Sequence, residues 1–163
     1  MIVLMQTSLG DIKLELYPQL APKTVDNFVA YVRASHYDNT LFHRVIDEFM
    51  IQGGGFEPGM KEKDTRAPVE NEADNSLQNE KYAIAMARTD APHSATSQFF
   101  INVNDNHFLD FPGHDGWGYA VFGKVVEGQD TVDKIRAVRT GSVGFHGDVP
   151  LEDVLILKAS VQE

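Results

Sequence analysis

Cysteine is absent from the sequence, which removes disulfides, thiolate nucleophiles and cysteine-based zinc sites together and is compatible with a reducing compartment. Positive charge is scarce as well: 14 Lys and Arg stand against 24 Asp and Glu, a formal net charge of -10 with no basic run to offset it. Such a chain repels phosphate backbones and anionic lipid surfaces, so neither nucleic acid nor a membrane is an expected partner. Long apolar runs are missing too. The N-terminal MIVLMQTSLGD holds an apolar run of only five residues with no basic segment before it, too short for a signal peptide or a span. A soluble, cytoplasmic protein is the expectation. Tryptophan occurs once, as Trp117.

What is present suits one turn-rich globular unit. At 163 residues, with 42% hydrophobic and 23% charged residues, 13 Gly and 7 Pro, the chain reads as a single domain over 1–163 able to bury a core without staples. Near the start, the apolar run from Ile2 is followed by Ser8, Leu9, Gly10 and Asp11. Ile12, Leu14 and Leu16 then alternate with Lys13 and Glu15, which predicts two strands joined by a tight turn. Pro22 opens APKTVDNFVAYVRAS, where Val25, Phe28, Val29 and Val32 recur at helical spacing. A second short helix is predicted after Gly128, with Val132, Ile135 and Val138 on one face. Elsewhere short apolar pieces over 42–46, 49–53, 82–87, 97–103, 119–126 and 153–161 alternate with polar loops, the longest over 54–80. Many short strands without βαβ alternation predict an antiparallel sheet closed or folded on itself, a β-barrel or sandwich with two packed helices.

One stretch departs from ordinary core patterning. FHRVIDEFMIQGGGF, Phe42 to Phe56, places Arg44 and Gln52 within apolar runs and follows them with Gly53, Gly54 and Gly55. Residues two apart on a strand share a face, so Arg44 lies beside Ile46, Gln52 beside Met50 and, in SATSQFFIN, Gln98 beside Phe100. Any one of these polar residues is explained by a solvent-facing position on a half-buried strand. Three segments that each offer one polar and one apolar group favour a binding face. The glycines fit a bend or bulge at a sheet rim that also permits close backbone approach by a ligand.

Other chemistries fail their context. His36, His43, His93, His107, His114 and His146 lack metal-ligand spacing, so no metal site is expected. GGGF followed by EPGM has neither the lysine nor the helix of a phosphate loop, and HSATS has no nucleophile elbow. ENEAD, residues 70–74, reads as a solvated acidic loop without calcium-loop spacing.

FHRVIDEFMIQGGGF, AMART and SQFFIN, continued by VFGKVVEGQDTVDKI, closely resemble the cyclophilins, the peptidyl-prolyl cis-trans isomerases, in particular their short bacterial cytoplasmic type. That resemblance spans essentially the whole chain. It implies a mainly β fold, a closed eight-stranded antiparallel β-barrel capped by two α-helices, with an Xaa-Pro groove on the outer barrel surface and no cofactor. Carried over position by position, the groove comprises His43, Arg44, Ile46, Phe49, Met50, Gln52, Ala87, Arg88, Thr89, Gln98, Phe100, Phe108, Leu109 and Tyr119. Arg88 stands where eukaryotic members usually have asparagine, with the contact there expected through backbone. Phe108 replaces a tryptophan whose N–H helps hold cyclosporin, and Tyr119 a common histidine. Only weak cyclosporin binding is therefore expected.

On this reading a monomer acts on proline-containing peptides and on unfolded or folding chains. Arg44 is the expected donor to the prolyl nitrogen of the twisted amide, and Gln52 the expected holder of the backbone beside it. His43, one residue out of step with Arg44 in an ideal strand, is open between packing and ligand contact. A proline-peptide binder without turnover is the main alternative, but it has no need of a donor at the prolyl nitrogen. A structural or chaperone-like role would leave the groove incidental.

Overall fold

A computed structural model describes residues 1–163. The strands β1 (Ile2–Thr7) and β2 (Gly10–Leu16) form the first hairpin, and α1 spans Pro22–Arg33. Then follow β3 (Thr40–Ile46), β4 (Met50–Gly53), β5 (Phe56–Glu57), β6 (Lys61–Glu62), β7 (Ala83–Met86) and β8 (Phe99–Asn102). A 3-10 turn at His107–Leu109 leads to β9 (Val121–Glu127), α2 (Gln129–Arg136), β10 (Thr140–Val143), β11 (His146–Pro150) and β12 (Leu155–Gln162). Eight strands close into a barrel in the order β1-β12-β3-β4-β8-β7-β9-β2, every pairing antiparallel. The choice left open between barrel and sandwich is thus settled by the β1–β2 and β2–β9 pairings, which leave no free edge.

Strand alternation sorts the residues. Val3, Met5, Ile12, Leu14, Val45, Ile51, Ile84, Ile101 and Phe122 point inward and are essentially inaccessible. The predicted stripe of α1, Val25, Phe28, Val29 and Val32, joins the same cluster, as do Val132 and Ile135 of α2. Phe28 fills the interior, its ring 5.1 to 5.7 Å from those of Tyr37, Phe99 and Phe122. An eight-stranded barrel is just wide enough to be filled by its own side chains. A ligand must therefore bind outside it.

Two features depart from the sequence-based expectation. The 54–80 segment is not a uniform loop: β5 and β6 make a short ribbon, and β10 and β11 make another that the apolar pattern did not announce, because its residues are largely exposed. The ENEAD segment is tied to the fold. Glu72 accepts hydrogen bonds from the Thr24 N–H at 2.7 Å and its hydroxyl at 2.6 Å, supplying the cap that Ala21 cannot give α1. No helix is long and apolar enough to cross a membrane.

Candidate active site

The outer barrel face carries a second, smaller apolar cluster: Met50, Ala83, Ala85, Phe100, Leu109 and Val121, with Ile46, Phe49, Leu77, Ala87 and Tyr119 packed on it. Register explains its position. Arg44 pairs with Gln52, Gln52 with Phe100, Phe100 with Ala85 and Ala85 with Val121, one lateral row across β3, β4, β8, β7 and β9. The neighbouring row, Val45, Ile51, Ile101 and Ile84, faces the interior. Period-2 alternation therefore gives one set of strands both a core and a binding face.

Over this row lies a hollow of about 140 Å³ lined by Arg44, Phe49, Met50, Gln52, Ala87, Arg88, Phe100, Leu109 and Tyr119. Larger hollows exist, one of about 480 Å³ beside Asn71, His93, Phe111 and Trp117. Size does not select the site; the convergence of fixed polar groups on an apolar floor does.

Those polar groups form a directed chain. Arg44 Nη1 donates to Gln52 Oε1 at 3.2 Å, and Gln52 Nε2 donates to Gln98 Oε1 at 2.9 Å. A guanidinium only donates, so it fixes which end of the Gln52 amide faces it, and the amide nitrogen is left to address Gln98. That bond is the only side-chain hydrogen bond of Arg44, whose remaining N–H groups stay available to a ligand.

The glycine run makes the expected bend at 54–55, with Gly54 at positive φ, and it also makes room for packing. A Cβ on Gly55 would lie 2.6 Å from Gln98 Cγ, and one on Gly54, at φ +93°, 2.7 Å from the Tyr37 ring. All three glycines are buried. They allow close approach by the Leu41 carbonyl and by the Tyr37 and Gln98 side chains, and Gly55 in particular makes the space from which Gln98 holds Gln52.

The walls are pinned by a buried amide network. Asn106 Nδ2 donates to the Phe49 carbonyl and to Asn102 Oδ1, both at 2.8 Å, and Asn102 Nδ2 donates to Asn79 Oδ1 at 3.1 Å. Asn79 in turn donates to Asp110. The segment bearing Leu109 is thereby fixed to the turn bearing Phe49, and the Tyr119 N–H donates to the Leu109 carbonyl at 2.8 Å. Phe108, 62% exposed, stacks on Phe49 at 5.9 Å and lengthens the apolar rim. Ile46 packs against the same cluster without lining the hollow, and Thr89 does not line it either, its N–H and hydroxyl both tied to Ser94 Oγ.

His43 is placed by a strand irregularity. Phe42 pairs with Gly53 and Arg44 with Gln52, so His43 is an extra residue bulged out of the β3–β4 ladder. The bulge breaks ideal alternation, and of the two roles left open for His43 the structure gives it packing. Its ring stands 4.5 Å from that of Phe56, which in turn meets His146 at 5.2 Å, and it does not line the hollow. His43 Nδ1 is buried without a hydrogen-bond partner. Burial first, then the nearby His146 and Arg44, push the imidazole down to about 4 from the ordinary 6.5.

Arg88 lines the hollow, and its side chain is folded back into the wall, 3% exposed, with its guanidinium over the Tyr119 ring. Asp115, its ion-pair partner, was missed by sequence reasoning because 27 residues separate the two and no local pattern links them. No group of three or more His, Cys, Asp or Glu is arranged to hold a metal ion.

The family model described as cyclophilin type peptidyl-prolyl cis-trans isomerase/CLD matches residues 2–161. Among curated relatives, a peptidyl-prolyl cis-trans isomerase of Streptomyces antibioticus is 60% identical over 159 residues, 96% of either chain. Peptidyl-prolyl cis-trans isomerase B of Escherichia coli is 57% identical over 164 residues, covering 99% of this chain and 100% of its own. The crystal structure of a Cryptosporidium parvum cyclophilin type isomerase, determined in the presence of the dipeptide Ala-Pro, superposes with a TM-score of 0.81. It is 25% identical, with 100% of this chain and 99% of that one covered.

Proposed function

The chain belongs to the cyclophilin-type peptidyl-prolyl cis-trans isomerases, and from that premise we propose that Arg44 is the group that accelerates rotation about Xaa-Pro bonds in the outer groove. Rotation is opposed by roughly 18–20 kcal/mol of lost amide resonance. No covalent bond has to break. As the amide twists, the prolyl nitrogen turns pyramidal and regains a lone pair, and a donor aimed at it binds the twisted amide better than the planar one. Arg44 is suited to this: its charge is permanent, its N–H groups are rigid, and Gln52 orients it.

The proline ring sits against Met50, Phe100 and Leu109, with Phe49 and Tyr119 at the sides. Met50 adapts to either isomer. Gln52, held by Gln98, fixes the substrate backbone beside the rotating bond so that one side turns and the other stays. Proline-containing peptides are thus the ligands of the groove, a reading supported by the Ala-Pro dipeptide present with the Cryptosporidium relative. The single observation that carries the mechanism is the Arg44–Gln52–Gln98 chain standing over a proline-sized apolar floor. We further propose a cytoplasmic monomer that assists folding chains, consistent with the lack of cysteine. Cyclosporin should bind weakly, since Phe108 offers no N–H donor.

The test is Arg44→Ala in an NMR exchange or protease-coupled assay on an Ala-Pro peptide. The variant should fold normally and lose about 10²–10³ in kcat, the scale of removing one transition-state donor. Near wild-type turnover by the folded variant would sink the role given to Arg44.

A further inference from the structure

We propose that the Arg88–Asp115 ion pair is a clasp that positions Tyr119 and so sets the width of the proline pocket. It governs affinity and ring selectivity without entering the chemistry. The proposal rests on the outer hollow being the proline site.

Three observations converge. First, Arg88 is the least exposed member of any ion pair in the protein, at 3%, although it lies on the segment after β7. Its guanidinium stands 4.3 Å from the centre of the Tyr119 ring. Arg88 Nη2 donates to Asp115 Oδ2 at 2.7 Å and to the Gly118 carbonyl at 2.7 Å, and Nη1 donates to the Thr89 carbonyl at 3.0 Å. So occupied, it has little to offer a peptide.

Second, the backbone at the end of the segment that delivers Tyr119 to the wall is tied, Tyr119 to Leu109 and Asn79 and Gly118 to Asn71, but the stretch before it, 113–118, is rich in glycine. Gly113, Gly116 and Gly118 all have positive φ, at 57°, 84° and 72°, and glycine loses more conformational freedom on ordering than any other residue. Asp115 supplies the missing order with both oxygens: Oδ1 accepts from the Trp117 and Gly118 N–H groups at 3.0 and 3.1 Å, and Oδ2 faces Arg88. Third, the Tyr119 ring meets Phe100 edge-on at 5.8 Å, at the floor of the hollow. Tyr119 is thus held between a cation on one side and the pocket floor on the other.

Removing Asp115 leaves a buried guanidinium without its counter-charge, and such a group is driven to find water. Arg88 then leaves Tyr119 and the glycine-rich segment regains its freedom. Proline must bind to the fraction of molecules whose wall is in place, which raises KM. Arg44, Gln52 and Gln98 are untouched, which leaves kcat.

The experiment measures kcat and KM for Asp115→Ala by NMR exchange over a substrate titration, with an Ala-Pro peptide and its homologue carrying the six-membered pipecolic ring. Near-UV circular dichroism of Trp117, the sole tryptophan, whose ring stands 4.7 Å from His93, reports whether the segment is released. If the wall is in place in about a tenth of molecules, KM rises about tenfold with kcat within about twofold. The preference for proline over pipecolate narrows, and the Trp117 signal weakens. Asp115→Asn keeps the turn-forming oxygen and should fall between the wild type and Asp115→Ala. Should Asp115→Ala fail to fold, Arg88→Lys, which keeps charge but loses the planar stack, is expected to move KM and selectivity in the same direction. Loss through kcat at constant KM overturns the clasp, and so does a released Trp117 with unchanged KM and selectivity. Failure of the catalytic reading is separate, because it appears as retained kcat in Arg44→Ala.

Discussion

Protonation of His43 should set part of the acid stability of this protein. The imidazole is 5% exposed, has no partner for Nδ1 and packs on Phe56 at 4.5 Å, with the His146 ring and the Arg44 guanidinium as its charged or titratable neighbours. In the unfolded chain it takes up a proton near 6.5, in the folded protein only near about 4. Between those values the unfolded state binds more protons, so stability rises with pH across the window and is lost as pH falls from 6.5 through 4. One pH unit of separation is worth about 1.4 kcal/mol, so the full window corresponds to roughly 3 kcal/mol. For a chain of this length that is about 6–12 °C in melting temperature. The assay is thermal or urea unfolding of wild type and His43→Gln from pH 4 to 7. Lost packing gives the variant a pH-independent offset, whereas the wild type should show the extra slope. Parallel profiles across that window would refute the assignment of a neutral, desolvated His43.

Further expectations concern the groove and the core. Gln52→Ala should lower kcat/KM on an Ala-Pro peptide by about tenfold, less than loss of Arg44, because a positioning contact goes while the donor stays; a steady-state comparison of the two variants decides the order. Phe108→Trp restores an indole N–H at the rim and should tighten inhibition by cyclosporin by about five- to tenfold, one neutral hydrogen bond, as read from an inhibition titration. Phe28→Ala opens the space between Tyr37, Phe99 and Phe122 and should cost about 3–5 kcal/mol in a urea melt.

How much was legible in the sequence depends on whether a feature is local. Alternation paired Arg44 with Ile46, Gln52 with Met50 and Gln98 with Phe100 within their own segments, because side-chain direction repeats every two residues whatever the partner strand. That Arg44, Gln52 and Phe100 form one row was set by cross-strand register. The stripe of α1 was equally readable, since helical spacing needs no knowledge of what it packs against. His43 escaped because a bulge arises between two strands, and the sequence of one strand does not display it. The two exposed ribbons escaped because they bury too little to leave an apolar pattern.

The sequence alone therefore determined both helices, most barrel strands and the polar-beside-apolar pairs at Arg44, Gln52 and Gln98 from spacing, and the family and the rest of the groove by resemblance of short motifs. Only the tertiary structure decided what each polar group is tied to. Gln98 reaches Gln52 across 46 residues, Glu72 caps α1 across 48 and Asp115 clasps Arg88 across 27. Such partners are chosen by chain closure and packing. Gly55 shows the division most plainly: as a letter it reads as a bend, which the fold keeps, and only the fold shows that it is also the space that lets Gln98 hold the residue bonded to Arg44.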